Sequence, residues 1–243
     1  GYRIDTLTVD GIVTTSASSY TFSNVQANHT IAVTFAPVYT ITVTAVTNGT
    51  VSPGTSSTID AGATPTYTLT PSAGYHVATA TVDGVSVMSS LLTTTGAVRT
   101  YTFASVSANH TLTVTFAIDT FTITTSVGAN GSLTIGGTAA GSSVSANYND
   151  NKTFTITPSA GYRISTLTID GASATVASTY TFSTIRADHS IAVTFVQNNY
   201  TTVLNAATSV TSTSATLTGS INPNGDAPTA VSICWKLSTA GSC

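Results

Sequence analysis

The chain opens with Gly1-Tyr-Arg-Ile-Asp-Thr-Leu-Thr-Val-Asp-Gly11, then carries Tyr20-Thr-Phe22 and Ala27-Asn-His-Thr-Ile-Ala-Val-Thr-Phe-Ala36. The same block returns from Gly74 to Ala117 and from Gly161 to Val196. Three copies of one pattern point to small tandem modules rather than one large domain. Tyr2 and Ile4 share one strand face, whereas Leu7 and Val9 have the opposite parity. The switch recurs at Tyr75/Val77 against Ala80/Val82 and at Tyr162/Ile164 against Leu167/Ile169. Side chains alternate strictly along a strand, so a change of parity needs an inserted residue. A β-bulge or bend near residues 5–6, 78–79 and 165–166 would restore the inward face. A strand buried on both sides is the alternative.

Working outward from this stretch, Asp10-Gly11, Asp83-Gly84 and Asp170-Gly171 follow directly and predict hairpin turns, because both residue types tolerate positive φ. The aromatics of Tyr20-Thr-Phe22, Tyr101-Thr-Phe103 and Tyr180-Thr-Phe182 share a face and read as core. Each closing strand alternates apolar with Thr or Ala, as in Ile31-Val33-Phe35, Leu112-Val114-Phe116 and Ile191-Val193-Phe195. This is the pattern of a half-buried strand.

Two copies also have a front half. One runs through Tyr39-Ile41-Val43, Asn48-Gly49, Val51-Ser-Pro-Gly54, Tyr67-Leu69 and Pro71; the other runs through Phe121-Ile123, Asn130-Gly131, Leu133-Ile135, Phe154-Ile156 and Pro158. Each whole repeat should hold about five to seven short strands, which predicts an all-β chain of tandem small antiparallel β-sandwich-like repeats. The expected division is 1–36, the back half of a repeat; 37–117 and 118–196, two complete repeats; and 197–243, a different domain. The unequal repeat spacing is assigned to loops at 86–99 and at the Gly-rich 136–152. Two or three residues separate the copies, with Pro37 stiffening the first joint, so a semi-rigid rod is expected. The chain begins within a repeat, so its natural N-terminus is expected to lie upstream.

Composition agrees with strands. Thr supplies 53 residues and Ser 31 of 243, there is no Glu, and only two Lys are present. Thr is β-branched and favours strands, and the scarcity of Glu and Lys removes two common helix formers. Charged residues make up 6% where about a quarter is usual. Six scattered cations build no basic face, so no nucleic-acid partner is expected. No apolar run approaches the roughly 20 residues of a membrane-spanning helix.

Recurrence draws attention to Asp10, Asp83 and Asp170 and to His29, His110 and His189. Calcium needs several oxygen ligands, a glycosidase needs a second carboxylate and zinc needs several ligands together. Each copy offers one His and at most one nearby acid, so these residues read as turn formers, with the imidazole packing over the strand start. No Gly-x-Ser-x-Gly elbow, zinc signature or phosphate loop occurs. No cofactor, no metal and no catalysis are expected. Cys234 and Cys243 could pair in an oxidising compartment, or stay as thiols, or bond beyond this segment. Asn-x-Ser/Thr occurs at Asn28, Asn48, Asn109, Asn130, Asn151 and Asn199, an easy match in a chain so rich in hydroxyls.

Pro71-Ser-Ala-Gly-Tyr75, Asp83-Gly84 and Ala108-Asn-His-Thr111 occur together, in order and repeatedly. Across residues 1–195 this plan resembles the divergent InlB B-repeat family of bacterial secreted and surface proteins. The resemblance implies bacterial or archaeal origin, export, and a spacer or adhesive role; the family brings no catalytic residues. It also implies a β-grasp-type alternative, which normally includes a helix that the sequence does not offer. Residues 197–243, with Ala215, Leu217 and Ile221 inward and Trp235 on a following strand, resemble the start of a fibronectin type III-like domain. The expected function is a structural segment of an extracellular surface protein: stalk, adhesin spacer or filament subunit. Expected partners are other copies of the chain or neighbouring domains. The alternatives are a surface-glycan- or host-binding module, with Tyr148 and Tyr200 as the freer aromatics, or an accessory part of a larger secreted enzyme.

Overall fold

The computed structural model describes residues 1–243 except 45–46, 94–96, 200, 212–214, 217 and 223–243. Two compact units divide it, Gly1–Asp119 and Thr120–Cys243.

In the first unit, β1 (Tyr2–Val9) and β2 (Ile12–Thr14) form a hairpin, and β1 pairs antiparallel with β3 (Ile31–Val43). β3 is continuous through Pro37. Its first part closes the opening half-repeat and its second part opens the complete repeat, so the expected linker is a strand. Pro37 lacks an N–H for the ladder, while its carbonyl accepts from the Ala61 N–H (3.1 Å). The complete repeat continues through β4 (Gly49–Ser52), β5 (Ser56–Asp60), β6 (Thr66–Pro71), β7 (Tyr75–Val82), β8 (Val85–Ser86), β9 (Leu92–Thr93), β10 (Arg99–Thr102) and β11 (His110–Ile118). One sheet runs β2-β1-β3-β11-β7-β8, with β5 on β3; the other runs β4-β6-β10-β9.

The second unit repeats this plan with β12 (Thr120–Val127), β13 (Gly131–Ile135), β14 (Thr138–Ala139), β15 (Ser143–Asn147), β16 (Lys152–Pro158), β17 (Tyr162–Ile169), β18 (Ala172–Ala174), β19 (Thr179–Phe182) and β20 (His189–Gln197). Its sheets run β15-β12-β20-β17-β18 and β14-β13-β16-β19. Each complete repeat is therefore two sheets around one core, and the sandwich-like all-β reading holds. Tyr67, Leu69, Ile41 and Leu112 from both sheets meet in the first core. Phe154, Ile156, Ile123 and Ile191 meet in the second.

Four details differ from the sequence reading. Each complete repeat contains nine strands rather than five to seven, several of them only two residues long. The Gly-rich 136–152 is no plain loop, because it contains β14 and β15. These edge strands, like β5, are short and rich in Ser and small residues, and their few inward apolar residues, Val144 and Ala146 in β15 and Ile59 in β5, make too brief an alternation to stand out. The sheets are not wholly antiparallel: β3 and β11 pair in parallel, as do β12 and β20. Finally, where the β-grasp alternative requires a helix, the repeats place their second sheet. Among the described residues the only helical element is the 3₁₀ turn Met88–Ser90.

The parity switches are bulges as expected, with register shifts between Ile4 and Leu7, between Thr115 and Phe116 opposite Thr79 and Val77, and between Ile164 and Thr166. A Thr pair bridges each, Thr6–Thr34, Thr79–Thr115 and Thr166–Thr194, all with 2.6 Å between hydroxyl oxygens. Beyond Gln197, β21 (Thr201–Leu204) pairs with β22 (Gly219–Asn222), and Thr208 forms an isolated bridge with Thr216. Ala215, expected inward, is exposed; among the described residues, a two-stranded ribbon and a single bridge provide no second layer to cover it. Tyr200, Leu217, Trp235, Cys234 and Cys243 lie outside the described residues, as does the side chain of Ile221.

Candidate functional site

The recurrent Asp and His are one site in each copy. The Asp-Gly turns have positive φ at both residues, 53° and 79° at Asp10-Gly11, 49° and 82° at Asp83-Gly84, and 52° and 77° at Asp170-Gly171. This geometry turns the Asp carboxylate toward the start of the closing strand. His29 Nδ1–H donates to Asp10 Oδ2 (2.7 Å), His110 to Asp83 (2.6 Å) and His189 to Asp170 (2.9 Å). The other carboxylate oxygen accepts the next backbone N–H, from Thr30 (2.7 Å), Thr111 (2.8 Å) and Ser190 (2.7 Å). An ionised carboxylate only accepts, which places the imidazole proton on Nδ1.

The imidazole first, then the backbone N–H, hold Asp10 and Asp83 below the usual carboxylate range. At Asp170, burial pushes upward but is outweighed by Ser190 N–H and His189 together, so the net direction is also down. Each imidazole ring also packs against the Phe of the Tyr-Thr-Phe stretch, stacked at a centroid separation of 4.7 Å for Phe22–His29 and tilted at 5.4 Å for Phe103–His110 and 4.7 Å for Phe182–His189. Each site is thus a clamp joining a hairpin turn, an aromatic and the closing strand. Sequence reading treated its Asp and His as separate turn formers. The signal that pairs them is that both return in every copy, 19, 27 and 19 residues apart. The fourth histidine, His76, donates to Asp119 (2.7 Å), whose own N–H bonds the Gly74 carbonyl. Among the described residues no three His, Cys, Asp or Glu side chains gather as a metal group would.

A second recurrent feature locks front half to back half. In each complete repeat the acidic or amide residue before the His accepts a backbone N–H of the opening strand: Thr40 to Asn109 Oδ1, and Thr122 to Asp188 Oδ1, both at 2.8 Å. The last aromatic of the closing strand lies over the glycine of the Asn-Gly turn. A Cβ on Gly49 would come within 2.5 Å of the Phe116 ring, and one on Gly131 would collide with Phe195. The Asn takes the positive φ, 64° at Asn48 and 70° at Asn130. Glycine is required at the next position by ring space rather than by φ.

The opening copy has the clamp without the lock. Val25 is 61% exposed and Ile31 54%, whereas their counterparts Val106, Ile185, Leu112 and Ile191 are all at 1% or less; Phe35 is exposed, whereas its counterpart Phe116 is buried and Phe195 half-buried. The Tyr148 ring, a freer aromatic in the sequence reading, has Arg186 over it with its guanidinium carbon 5.3 Å from the centroid. An open cleft lined by Tyr162, Arg163, Ile164 and Val176 lies on the third copy.

The sequence pattern of the divergent InlB B-repeat domain matches residues 39–120 and, in tandem, 121–199, more than half of the chain. The chain belongs to the divergent InlB B-repeat family. Both matched segments are the complete two-sheet repeats, each with its clamp and lock. The InlB B-repeat family is associated with bacterial surface proteins, which makes this chain a structural or binding module of that kind. No curated protein and no solved structure matches it. Among the described residues, no helix is long and apolar enough to cross a membrane.

Proposed function

We propose that the chain is a load-bearing spacer segment of an extracellular bacterial surface protein, a stalk or fibre element without a catalytic step. The observation that carries this reading is the placement of the first and last strands of each repeat. β12 and β20 lie side by side and parallel over five residue pairs, from Ile123 with His189 to Val127 with Val193. β3 and β11 do so over three, from Ile41 with His110 to Val43 with Leu112. A pull on the two ends of a repeat drags these strands in opposite directions along their own axes. The ladder bonds are then sheared together rather than opened one after another. The continuous β3 supports the same reading, because an already extended backbone has little slack to give under tension.

Single-molecule extension of the full chain tests it. Two discrete unfolding events are expected, one per complete repeat, with the five-pair repeat yielding at the higher force; forced unfolding reads the unfolding rate rather than equilibrium stability. Smooth extension at low force, together with saturable binding on a glycan array, would replace the mechanical reading with the adhesive one.

A further inference from the structure

The two complete repeats differ at one edge of the second sheet. In the first, residues 87–93 close that edge. The turn Met88–Ser90 lies against β7, and β9 pairs antiparallel with β10, Arg99 with Thr93 and Thr100 with Leu92. Val87 and Leu91 pack on the first core. In the second, β19 takes the place of β10 and ends the sheet, so among the described residues no strand lies along its outer side. A cleft of about 360 Å³ adjoins this open edge, lined by Pro158, Tyr162, Ile164, Val176, Ala177 and Ser178. Register accounts for the cleft. Ser178 lies opposite Ile156 as Arg99 lies opposite Leu69, and both Ile156 and Leu69 are buried. Residues opposite each other on paired strands share a face, so both positions face the corner of the sandwich. The half-buried Arg99 stands there in the first repeat, and the short Ser178 leaves room there in the second.

The edge is also chemically open. The Ile156 N–H donates to the Ser178 carbonyl (2.8 Å), which turns Ser178 toward β16. Ladder groups alternate along an antiparallel strand, so Thr179 and Thr181 present their N–H and carbonyl to the free side. No charge and no proline guards residues 176–182, and Val176 is 47% exposed. We propose that the outer edge of β19 and this cleft dock an extended, uncharged segment of a partner protein that reads aliphatic-x-aliphatic. The segment adds an antiparallel strand in the register that β9 uses on β10. One aliphatic side chain takes the place of Leu91, opposite Tyr180, and the next on the same face lies opposite Ser178 and enters the cleft. In the first repeat the same edge is already filled by β9, so the described residues hold one such groove. Residues 87–93 of another copy are not the occupant, because Val87 and Leu91 are engaged in their own core. The groove stands independently of the mechanical reading.

A labelled synthetic peptide with the sequence of residues 86–97 and the change Thr93→Leu, titrated into the full 243-residue chain, tests the proposal. One peptide should bind per chain, with new amide-exchange protection at Thr179 and Thr181. A peptide that also carries Leu91→Ser should bind about tenfold or more weakly, and one that keeps Thr93 about tenfold more weakly. In the chain, Ser178→Arg should weaken binding about tenfold by placing the first repeat's residue at the cleft. Thr179→Pro should do the same by removing a free-side N–H, a change that an edge strand tolerates. An unchanged thermal midpoint in both variants shows that the repeat stays folded. Several results would overturn the proposal: no saturable binding, equal binding of the Leu91→Ser peptide, or binding that neither chain variant alters. Full protection of Thr179 and Thr181 before peptide is added would overturn it too, because the groove would already be covered. Dimers formed through β19 without peptide would do so by assigning the edge to a second copy.

Discussion

Residues 1–36 and 161–196 are the same back half in two settings. Both have the bulge, the Asp-Gly hairpin, the Thr pair across the bulge and the Asp–His clamp, with hydrogen bonds of similar length. They part company at the aromatics. Tyr180 and Phe182 lie in β19, paired with β16, whereas Tyr20-Thr-Phe22 is in no strand at all. The third residue after the Phe of the aromatic stretch is fully buried as Ile185 and exposed as Val25. The features that survive alone are those closed by residues within the block. Those that fail need a partner strand or a cover from a front half, because a strand is held by its neighbour and a core face by what lies over it.

The largest effect that could break this comparison is at the matched positions Ile191 and Ile31. Ile191→Ala should destabilise its repeat by about 2–5 kcal/mol, through lost burial and the cavity left behind. Ile31→Ala should cost about 0.5 kcal/mol or less, as at other exposed sites. Urea unfolding followed by residue-resolved hydrogen exchange separates the two; equal losses would mean that the opening copy has a cover after all.

Next comes the glycine beneath the ring. Gly131→Ala should cost the third copy about 1–3 kcal/mol by overpacking, and a Phe195→Ala background should remove most of that penalty in a double-mutant cycle. An additive double mutant would show that the ring is not what excludes a side chain.

A smaller change sharpens the contrast between the two complete repeats. Among the described residues the buried Tyr67 hydroxyl has no hydrogen-bond partner, and Phe154 occupies the same position in the next repeat. Tyr67→Phe should be neutral or stabilise the repeat by up to about 1 kcal/mol, because it removes an unpaired buried donor. A clear loss of stability in thermal denaturation would assign the hydroxyl a partner.

The smallest effect is shared by all three clamps, whose carboxylates are solvent-exposed and screened. Their pKa values lie below the unfolded value, so the clamps contribute fully above about pH 4–5. That contribution falls away as pH drops through the depressed folded values. Replacing Asp10, Asp83 and Asp170 with Asn should flatten the acid limb of urea midpoints measured from pH 7 down to pH 2.5. An unchanged limb would show that the clamp carries no linkage.

The strand blocks, the hairpins and the bulge positions were legible because each depends on residue type within a few positions. Asp-Gly tolerates a left-handed turn, and a parity slip of apolar residues demands an inserted residue. The edge strands β5 and β15 were not legible, since Ser56-Ser-Thr-Ile-Asp60 and Ser143–Asn147 offer only one or two inward apolar residues each, and backbone pairing with β3 and β12 supplies the rest of what holds them. The clamp was half legible: both members were conspicuous, but only the folded hairpin brings Asp10 within reach of His29.

What the sequence alone determined is the module: an all-β repeat, its inward faces, its turns and its family. Alternation and turn chemistry are local, so they can be read in any one copy. Tertiary structure decided which strands became neighbours. The parallel pairing of first with last strand, the division into two sheets, the running of one strand through Pro37 and the ring over the Asn-Gly glycine all join residues tens of positions apart. Such contacts form only when burying both halves together repays the entropy of closing the chain between them. Residues 20–36 show the consequence: the same pattern is present with, among the described residues, no second sheet packed over it.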